Sequence, residues 1–237
     1  MSPTLDYAIV LAALEDGSDD TARFLVPMGP SEHVSVVVEE TWDALGMRGT
    51  CSDNFNFSAE AGVEQILPSD FGEIAAKSML AICHILWSAI WYGIATNALS
   101  RAQSFVRAEA RRMPNQTPPG ALRVAEAASL LQLMRSNTSA AITRFELAHK
   151  DEDDRGAVGF IVAMNNVKIG ASRMAIDVIN QALMITGING YRNNSPYSVG
   201  RHLRDALSAP IMISNDRIFG NVSNLLLMHR LDPKLVA

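Results

Sequence analysis

The stretch SMLAICHILWSAIWYGIA, residues 78–95, decides the fold of this chain. Apolar residues surround it on nearly every side, and no proline interrupts the sequence between Pro68 and Pro114. A lone surface helix would carry a broad polar face, so this pattern predicts a helix that packs against neighbours on several sides. We expect one long helix over about residues 70–113, with Ser69 or Asp70 as its N-terminal cap.

The sequence after this helix predicts further helices. PNQTPPG, residues 114–120, forms a stiff connection to a second helix over about residues 120–150, which ends in the acidic loop DEDDRG. A third helix over about residues 157–185 stops at the glycines of TGINGY, and shorter helices follow near residues 199–209 and 217–230. Together they predict a helical bundle.

The sequence before residue 69 has a different residue pattern. Its short runs are rich in β-branched and aromatic residues, alternate in polarity, and are separated by turn residues. These runs are DYAIVLAAL, TARFLVPM, HVSVVVEE, NFNFS and VEQILP. We expect about five antiparallel strands in a partial barrel or sheet over residues 1–69, followed by a helical domain over residues 70–237. The predicted fold class is α+β, mainly α.

Composition excludes several classes of function. The chain has 237 residues, 48% of them hydrophobic, and a formal net charge of −5, with no basic run longer than Arg111-Arg112. A nucleic-acid partner is therefore not expected. Cys51 and Cys83 lack metal-like spacing, which favours a reducing cytoplasm. The apolar run near the N-terminus has no basic flank and predicts a strand, not a signal peptide.

The histidines predict no metal site. They show no paired helical spacing with carboxylates or cysteines that would suit a metal ion. The five are His33, His84, His149, His202 and His229.

Several strings resemble the acyl-CoA dehydrogenase superfamily, and they occur in family order. ETWDALGMRGTCSDN at residues 40–54 resembles the signature loop of the middle domain, and QILP follows it. GIATNAL, NNVKIGAS, TGINGY and RHLRDA resemble segments of the C-terminal helical bundle. The resemblance implies that the sequence begins inside the middle domain, without the family's N-terminal helical domain.

The resemblance also implies a flavin cofactor. Family members bind FAD between the middle and C-terminal domains, with a neighbouring subunit's bundle holding part of the adenosine diphosphate. Here the matching positions are Thr186, Gly187 and Asn215, with Arg111 or Arg112 as a pyrophosphate contact in place of the family arginine that aligns at Glu109. A second interpretation of Arg111 is a solvent-exposed residue that complements the helix dipole. We expect the chain to form a homo- or hetero-oligomer with an acyl-CoA dehydrogenase-like chain.

The proton-abstracting carboxylate of the family is missing. Counted onto the family pattern, the base falls at Pro196, beside Ser195, and no acidic residue lies between Asp177 and Asp205. An alternative base position near Cys83 also lacks a carboxylate, because residues 74–108 contain no Asp or Glu.

His84 falls where the family often has a substrate-contacting arginine. Two interpretations are open: a substrate-binding imidazole that titrates near neutral pH, or a histidine packed in a helical core.

Three functions remain open from the sequence. The first is an acyl-CoA dehydrogenase-like subunit that uses FAD on the CH–CH group of acyl thioesters and is completed by a partner chain. The second is a flavin-dependent monooxygenase that uses reduced flavin, because APIMISNDRIFGNVSNLLL resembles that branch, although Met212 stands where its members carry a histidine. The third is a non-catalytic oligomerisation partner.

Overall fold

The computed structural model describes residues 6–14, 21–28, 33–68, 71–148 and 152–230. The chain separates into two compact units, Met1–Ala75 and Ala76–Ala237. The first contains short antiparallel strands and the second consists of helices, so the predicted mainly α fold class is confirmed. The expected helix caps Ser69 and Asp70 lie outside the described residues.

Two antiparallel hairpins lie among the described residues of the first unit. Its strands are β1 (Tyr7–Ala13), β2 (Thr21–Pro27), β3 (Val34–Glu40) and β4 (Asn54–Ala59). β1 pairs with β2 in a register that sets Val10 opposite Phe24, and β3 pairs with β4 with a bulge between Val38 and Glu40. Alternate residues of β1 and β4 are exposed and half-buried, as the alternating sequence predicts.

The prediction of a fifth strand at VEQILP is wrong. Val63–Gln65 form a 3₁₀ turn, which the Gln65 side chain closes by accepting a hydrogen bond from the Gly62 N–H at 2.9 Å. The sheet contact left in this segment is one isolated bridge between Ile66 and Phe24. In this segment a local hydrogen bond between a side chain and the backbone replaces strand pairing.

The signature loop at residues 40–54 is a tight turn built on one carbonyl. Met47 O accepts hydrogen bonds from the Thr50 hydroxyl at 2.8 Å and the Trp42 indole N–H at 3.0 Å. Met47 and Cys51 both adopt left-handed backbone conformations, and Asp53 accepts from the Trp42 amide at 2.6 Å. These contacts give the string a structural role within its own unit.

The second unit is built around long helices. The four-residue helix α1 (Phe71–Ile74) lies at the end of the first unit, and a π-helical turn at Ala75–Met79 leads into the second. The remaining helices are α2 (Leu80–Arg112), α3 (Ala121–Ala148), α4 (Glu152–Gly156), α5 (Val158–Thr186), α6 (Ile188–Tyr191), α7 (Gly200–Ala206) and α8 (Asn215–Met228). α3, α5, α7 and α8 agree with the predicted helices to within a few residues. The prediction of one unbroken helix over about residues 70–113 is wrong at its start, because a π-helical turn separates α1 from α2. α4 lies in the segment that was predicted to be an acidic loop.

α5 is the centre of the bundle, because it packs against α2, α3, α7 and α8. Alanines on α2 and α5 line the closest contact, which lets the two backbones approach. They are Ala95, Ala98, Ala102, Ala171, Ala175 and Ala182, all fully buried.

α2 is also long and apolar enough, by length and composition alone, to cross a membrane. In this fold it is a core helix of the bundle, and a core helix of a soluble protein satisfies the same criterion.

Candidate functional site

His84 lies in the interior of the bundle on α2. Its side chain is 2% exposed, and Nδ1 donates a hydrogen bond to the Met164 carbonyl on α5 at 3.2 Å. Burial lowers the pKa of His84 to about 4, against the opposing effect of the Met164 carbonyl, and the nearby Lys168 charge lowers it further. The ring is therefore neutral at pH 7 in the environment of a packed core histidine, and substrate contact by His84 stays a prediction.

Lys168 is the feature that the sequence did not reveal. It lies on α5 within NNVKIGAS and is completely buried. Its ammonium donates to Ile213 O at 2.7 Å and to Asn215 Oδ1 at 2.8 Å, and it lies 5.8 Å from the Trp91 ring centroid. No carboxylate among the described residues is within ion-pair distance of it, and burial lowers its pKa to about 8.

Asn215 is held inside the same cluster. Its Oδ1 accepts from Lys168, and its Nδ2 donates to the Ser172 hydroxyl at 3.1 Å. Both polar ends of the amide are therefore engaged within the protein. Ser214 is the N-terminal cap residue of α8, and Asp216 lies exposed in the first turn of that helix.

Thr186, Gly187 and Arg111 lie at one end of the bundle. A Cβ on Gly120 would lie 2.9 Å from Val106 on α2 and 3.2 Å from Ile185 on α5, so these helices end beside each other. Arg111 is exposed near the end of α2, whereas Thr186 is buried and donates its hydroxyl to Ala182 O at 2.8 Å. Gly187 is exposed, has a φ of 54°, and has open space where a Cβ would stand.

The four residues assigned to flavin do not form one cluster. Asn215 is bonded to Lys168, and Lys168 precedes Thr186 by eighteen positions on α5. That spacing corresponds to about 27 Å along a helix axis. Thr186, Gly187 and Arg111 therefore share one end of the bundle, whereas Asn215 lies at a different height along the axis of α5.

Gly187 and Arg111 are suited to an anionic cofactor. The missing side chain of Gly187 leaves room for a phosphate to approach the backbone, and Arg111 supplies an exposed guanidinium at the same end. The Asn215 amide, by contrast, already bonds Lys168 through Oδ1 and Ser172 through Nδ2.

The position aligned with the family base contains no acid or base. Pro196 is exposed, and its carbonyl accepts a hydrogen bond from Arg101 Nη1 at 3.2 Å. Ser195 accepts from the Tyr197 amide at 3.1 Å, so its hydroxyl stabilises a turn. These contacts give the segment a structural role.

A polar network lies between α2 and α7. Asn97 Oδ1 accepts from Arg101 Nε at 3.1 Å and from His202 Nε2 at 2.8 Å. Arg201 Nε lies 3.6 Å from Asp205 Oδ2 on α7. The lowered pKa of His202 has burial as its main cause, followed by the Arg101 charge. GIATNAL and RHLRDA, quoted in the sequence for their resemblance, are the segments that meet in this network.

The middle of the chain matches a known protein family. Residues 72–214 match the family model described as acyl-CoA dehydrogenase, C-terminal domain. No curated protein matches the chain.

Several solved structures share the fold. The chain superposes on TdsC from Paenibacillus sp. A11-2, in complex with FMN and indole, with a TM-score of 0.75 and 21% identity over 99% of this chain and 63% of that one. Nitrososynthase from Micromonospora carbonacea var. africana gives 0.75 and 21% over 98% and 60%. Butyryl-CoA dehydrogenase from Megasphaera elsdenii gives 0.68 and 23% over 94% and 56%.

The chain therefore spans only about three fifths of the length of these solved structures, and the likeness to each of them concerns the fold. The match to the family model covers more than half of the chain and contains the helices that carry His84, Lys168 and Thr186. On this ground the chain belongs to the acyl-CoA dehydrogenase family.

Proposed function

We propose that this chain is a subunit of an acyl-CoA dehydrogenase-type flavoprotein that oxidises the CH–CH group of acyl thioesters with FAD. The match of residues 72–214 to the C-terminal domain of that family is the observation that carries the proposal. When bound, the flavin supplies the hydride acceptor. At one end of the bundle, Arg111 would pair with the pyrophosphate, and Gly187 would allow close approach of the backbone.

The proposed reaction needs a base that this chain does not offer at the expected positions. Dehydrogenation removes a weakly acidic α-proton, which requires a carboxylate against the substrate. Neither residues 74–108 nor residues 178–204 contain Asp or Glu, and His84 is buried and neutral. We therefore propose that a second, acyl-CoA dehydrogenase-like chain supplies the base and completes the flavin site.

An exposed apolar stripe on α2 supports such an oligomer. Ile82 and Leu86 lie one helical turn apart and are 41% and 57% exposed. An apolar row of this kind on one helix face is typical of an interface. We also propose a cytoplasmic location, supported by the free thiols of Cys51 and Cys83.

The test is reconstitution with flavin. The chain, alone and with the products of neighbouring genes, is mixed with FAD, and the visible spectrum is recorded before and after addition of acyl-CoA. A yellow complex that acyl-CoA bleaches supports the proposal. A complex that binds FAD but is never bleached by acyl-CoA overturns the assignment to CH–CH oxidation.

Arg111→Gln tests the cofactor assignment separately. A charge-assisted hydrogen bond contributes roughly 1.5–3 kcal/mol, so we expect FAD to bind at least about tenfold more weakly. Arg107→Gln, at another exposed arginine on α2, is the matched control and should leave FAD affinity unchanged. Equal FAD affinities of the two variants would remove Arg111 from the site.

A flavin-dependent monooxygenase is the second candidate. The same lack of a carboxylate base favours it, because a reaction of reduced flavin with oxygen does not begin by abstracting an α-proton from a thioester. Solved structures of TdsC with FMN and indole, and of nitrososynthase, share the fold. Oxygenation of an aromatic or amine substrate in the presence of reduced FMN, without any acyl-CoA bleaching, would favour this candidate.

A non-catalytic oligomerisation partner is the third candidate. Lack of a carboxylate at both expected base positions supports it as well. A colourless, stable oligomer in every combination of chains and flavins would favour it over the two enzymes.

A further inference from the structure

The second unit contains a cavity of about 580 Å³ between α2 and α7. This volume is within the range of pockets that bind small molecules. One end of it is apolar and formed by α2, and the other end is polar and formed by α2 and α7.

The apolar end has room for a ligand. Ile90, Gly93 and Ile94 line it. A Cβ built on Gly93 would meet nothing within 4 Å, so the glycine leaves open space in the middle of a helix. A glycine inside a helix destabilises it by about 1 kcal/mol relative to alanine, and Gly93 is such a glycine at the wall of the cavity.

The polar end has donors in fixed positions. Asn97 Oδ1 accepts from both Arg101 and His202, which turns the Asn97 NH₂ group away from those two partners. Arg101 is held by Asn97 and by the carbonyls of Pro196 and Ser198, each 3.2 Å from Nη1. Its Nη2 makes no hydrogen bond to the described residues. Donors that are fixed before binding lose little entropy when a ligand arrives.

The charge of this end is positive. Arg101 and Arg201 face one carboxylate, Asp205, which is within 3.6 Å of Arg201 Nε. The Arg201 side chain is 87% exposed and can turn toward a ligand at little cost, since exposed ion pairs are weak. Arg101 and Arg201 also lower the pKa of His202, after the larger effect of burial and against Asp205, as a net positive field would.

We infer that this cavity binds a small organic carboxylate, with its apolar body against Ile90 and Ile94 over Gly93 and its carboxylate on Arg101, Asn97 and Arg201. The Nη2 group of Arg101 can donate to a carboxylate oxygen while Nε and Nη1 keep their protein partners, and the cavity joins this donor to an apolar wall. Neither the flavin nor the reaction proposed above enters this inference.

The test is a calorimetric titration of the full chain, without cofactor, at pH 7.5. The probes are pentanoate, hexanoate and heptanoate, with hexanol as the uncharged analogue. We expect hexanoate to bind at least about tenfold more tightly than hexanol, because the charge-assisted hydrogen bonds need the carboxylate. Each added methylene should tighten binding about fourfold while the apolar end has room. Equal binding of hexanoate and hexanol, or no binding of either, overturns the inference.

Gly93→Leu tests the position of the ligand. The leucine side chain occupies the apolar end, and leucine is a better helix former than glycine, so the variant should fold. We expect hexanoate affinity to fall at least tenfold. Gly220→Leu on α8, where a Cβ also meets nothing within 4 Å, is the matched control and should bind within about twofold of wild type. Retention of hexanoate binding by a folded Gly93→Leu variant overturns the inference.

Arg201→Gln tests the charge independently. We expect a two- to fivefold loss of hexanoate affinity, in line with an exposed ionic contact, and a weaker dependence of affinity on salt. An unchanged affinity together with an unchanged salt dependence would contradict the ionic part of the inference.

Discussion

Lys168 donates a hydrogen bond from its buried ammonium to the carbonyl of Ile213 at 2.7 Å, and Ile213 adopts a left-handed backbone conformation with φ of 50°. A β-branched residue in this conformation is strained, at a cost on the order of 1–3 kcal/mol. The lysine also binds Asn215 Oδ1, so two contacts from α5 hold the turn that precedes α8. The strained turn persists because a buried cation fixes both sides of it.

Lys168→Met should destabilise the protein. Methionine preserves much of the volume but leaves Ile213 O and Asn215 Oδ1 buried without their donor, which costs about 1–3 kcal/mol in the free energy of unfolding. Urea denaturation measures it, with Asp177→Asn, at an exposed position on the same helix, as control. An unchanged midpoint for Lys168→Met would show that the contact contributes nothing.

Lys168 should also make stability depend on alkaline pH. Its folded pKa of about 8 is below the ordinary value of 10.5, so between these values the unfolded chain binds more protons and stability rises with pH. We expect Lys168→Met to flatten this rise in denaturation curves recorded between pH 8 and 10. Parallel pH dependences of wild type and variant would rule out a depressed lysine pKa.

His84 should make the protein sensitive to acid. Its folded pKa of about 4 is below the unfolded value of 6.5, so the unfolded chain binds more protons between these values, and stability falls as the pH drops through this window. At a pH well below 4, the free energy of unfolding has fallen by about 3 kcal/mol through the protonation of His84. His84→Leu should show a shallower loss between pH 6.5 and 4, with a residual part from His202, whose pKa is also lowered.

Gly187→Ala should destabilise the end of α5. Gly187 has φ of 54° and ψ of −134°, a conformation that residues with a Cβ avoid at a cost on the order of 1–3 kcal/mol. Gly93→Ala is the matched comparison, since it lies inside α2 with open space around it and should stabilise by about 0.5–1 kcal/mol. Thermal denaturation should therefore give shifts of opposite sign. A stabilised Gly187→Ala variant would contradict the backbone geometry.

Leu86→Glu should weaken the proposed oligomer. Leu86 lies with Ile82 on the exposed apolar stripe of α2, and a carboxylate there would be desolvated by any apolar partner surface. We expect light scattering after size-exclusion chromatography to report an oligomer for wild type and a smaller species for Leu86→Glu. Leu133→Glu, at a similarly exposed leucine on α3, should leave the oligomer intact. A monomeric wild type would refute the interface.

The sequence predicts where the long helices end because local chemistry sets their C-terminal boundaries. The long α2 ends at Arg112, directly before Met113 and Pro114, and α5 ends where Gly187 takes a conformation open to glycine. The prediction of a fifth strand at VEQILP is wrong because a local hydrogen bond from the Gly62 N–H to the Gln65 side chain competes there with strand pairing. Pairing of the four strands as two separate hairpins depends on contacts that no local pattern encodes.

The candidate site shows the same division between local and distant causes. The segments GIATNAL and RHLRDA stood out in the sequence, but only packing of α7 beside α2 brings His202 within 2.8 Å of Asn97. The sequence does not indicate that Lys168 is buried, because a lysine without a carboxylate partner is ordinarily exposed. Its acceptors, Ile213 O and Asn215 Oδ1, lie more than forty positions further along the chain.

By itself, the sequence determined the helical bundle, the antiparallel strands that precede it, the family, and the lack of an acidic residue at the expected base positions. Tertiary structure alone decided that His84 is buried and neutral, that Lys168 is an interior cation, and that a cavity with a positive end opens between α2 and α7. The physical reason is the distance along the chain over which each effect acts. Propensity and periodicity act over one or two turns of chain, whereas desolvation, charge and cavity shape arise from side chains that only the fold brings together.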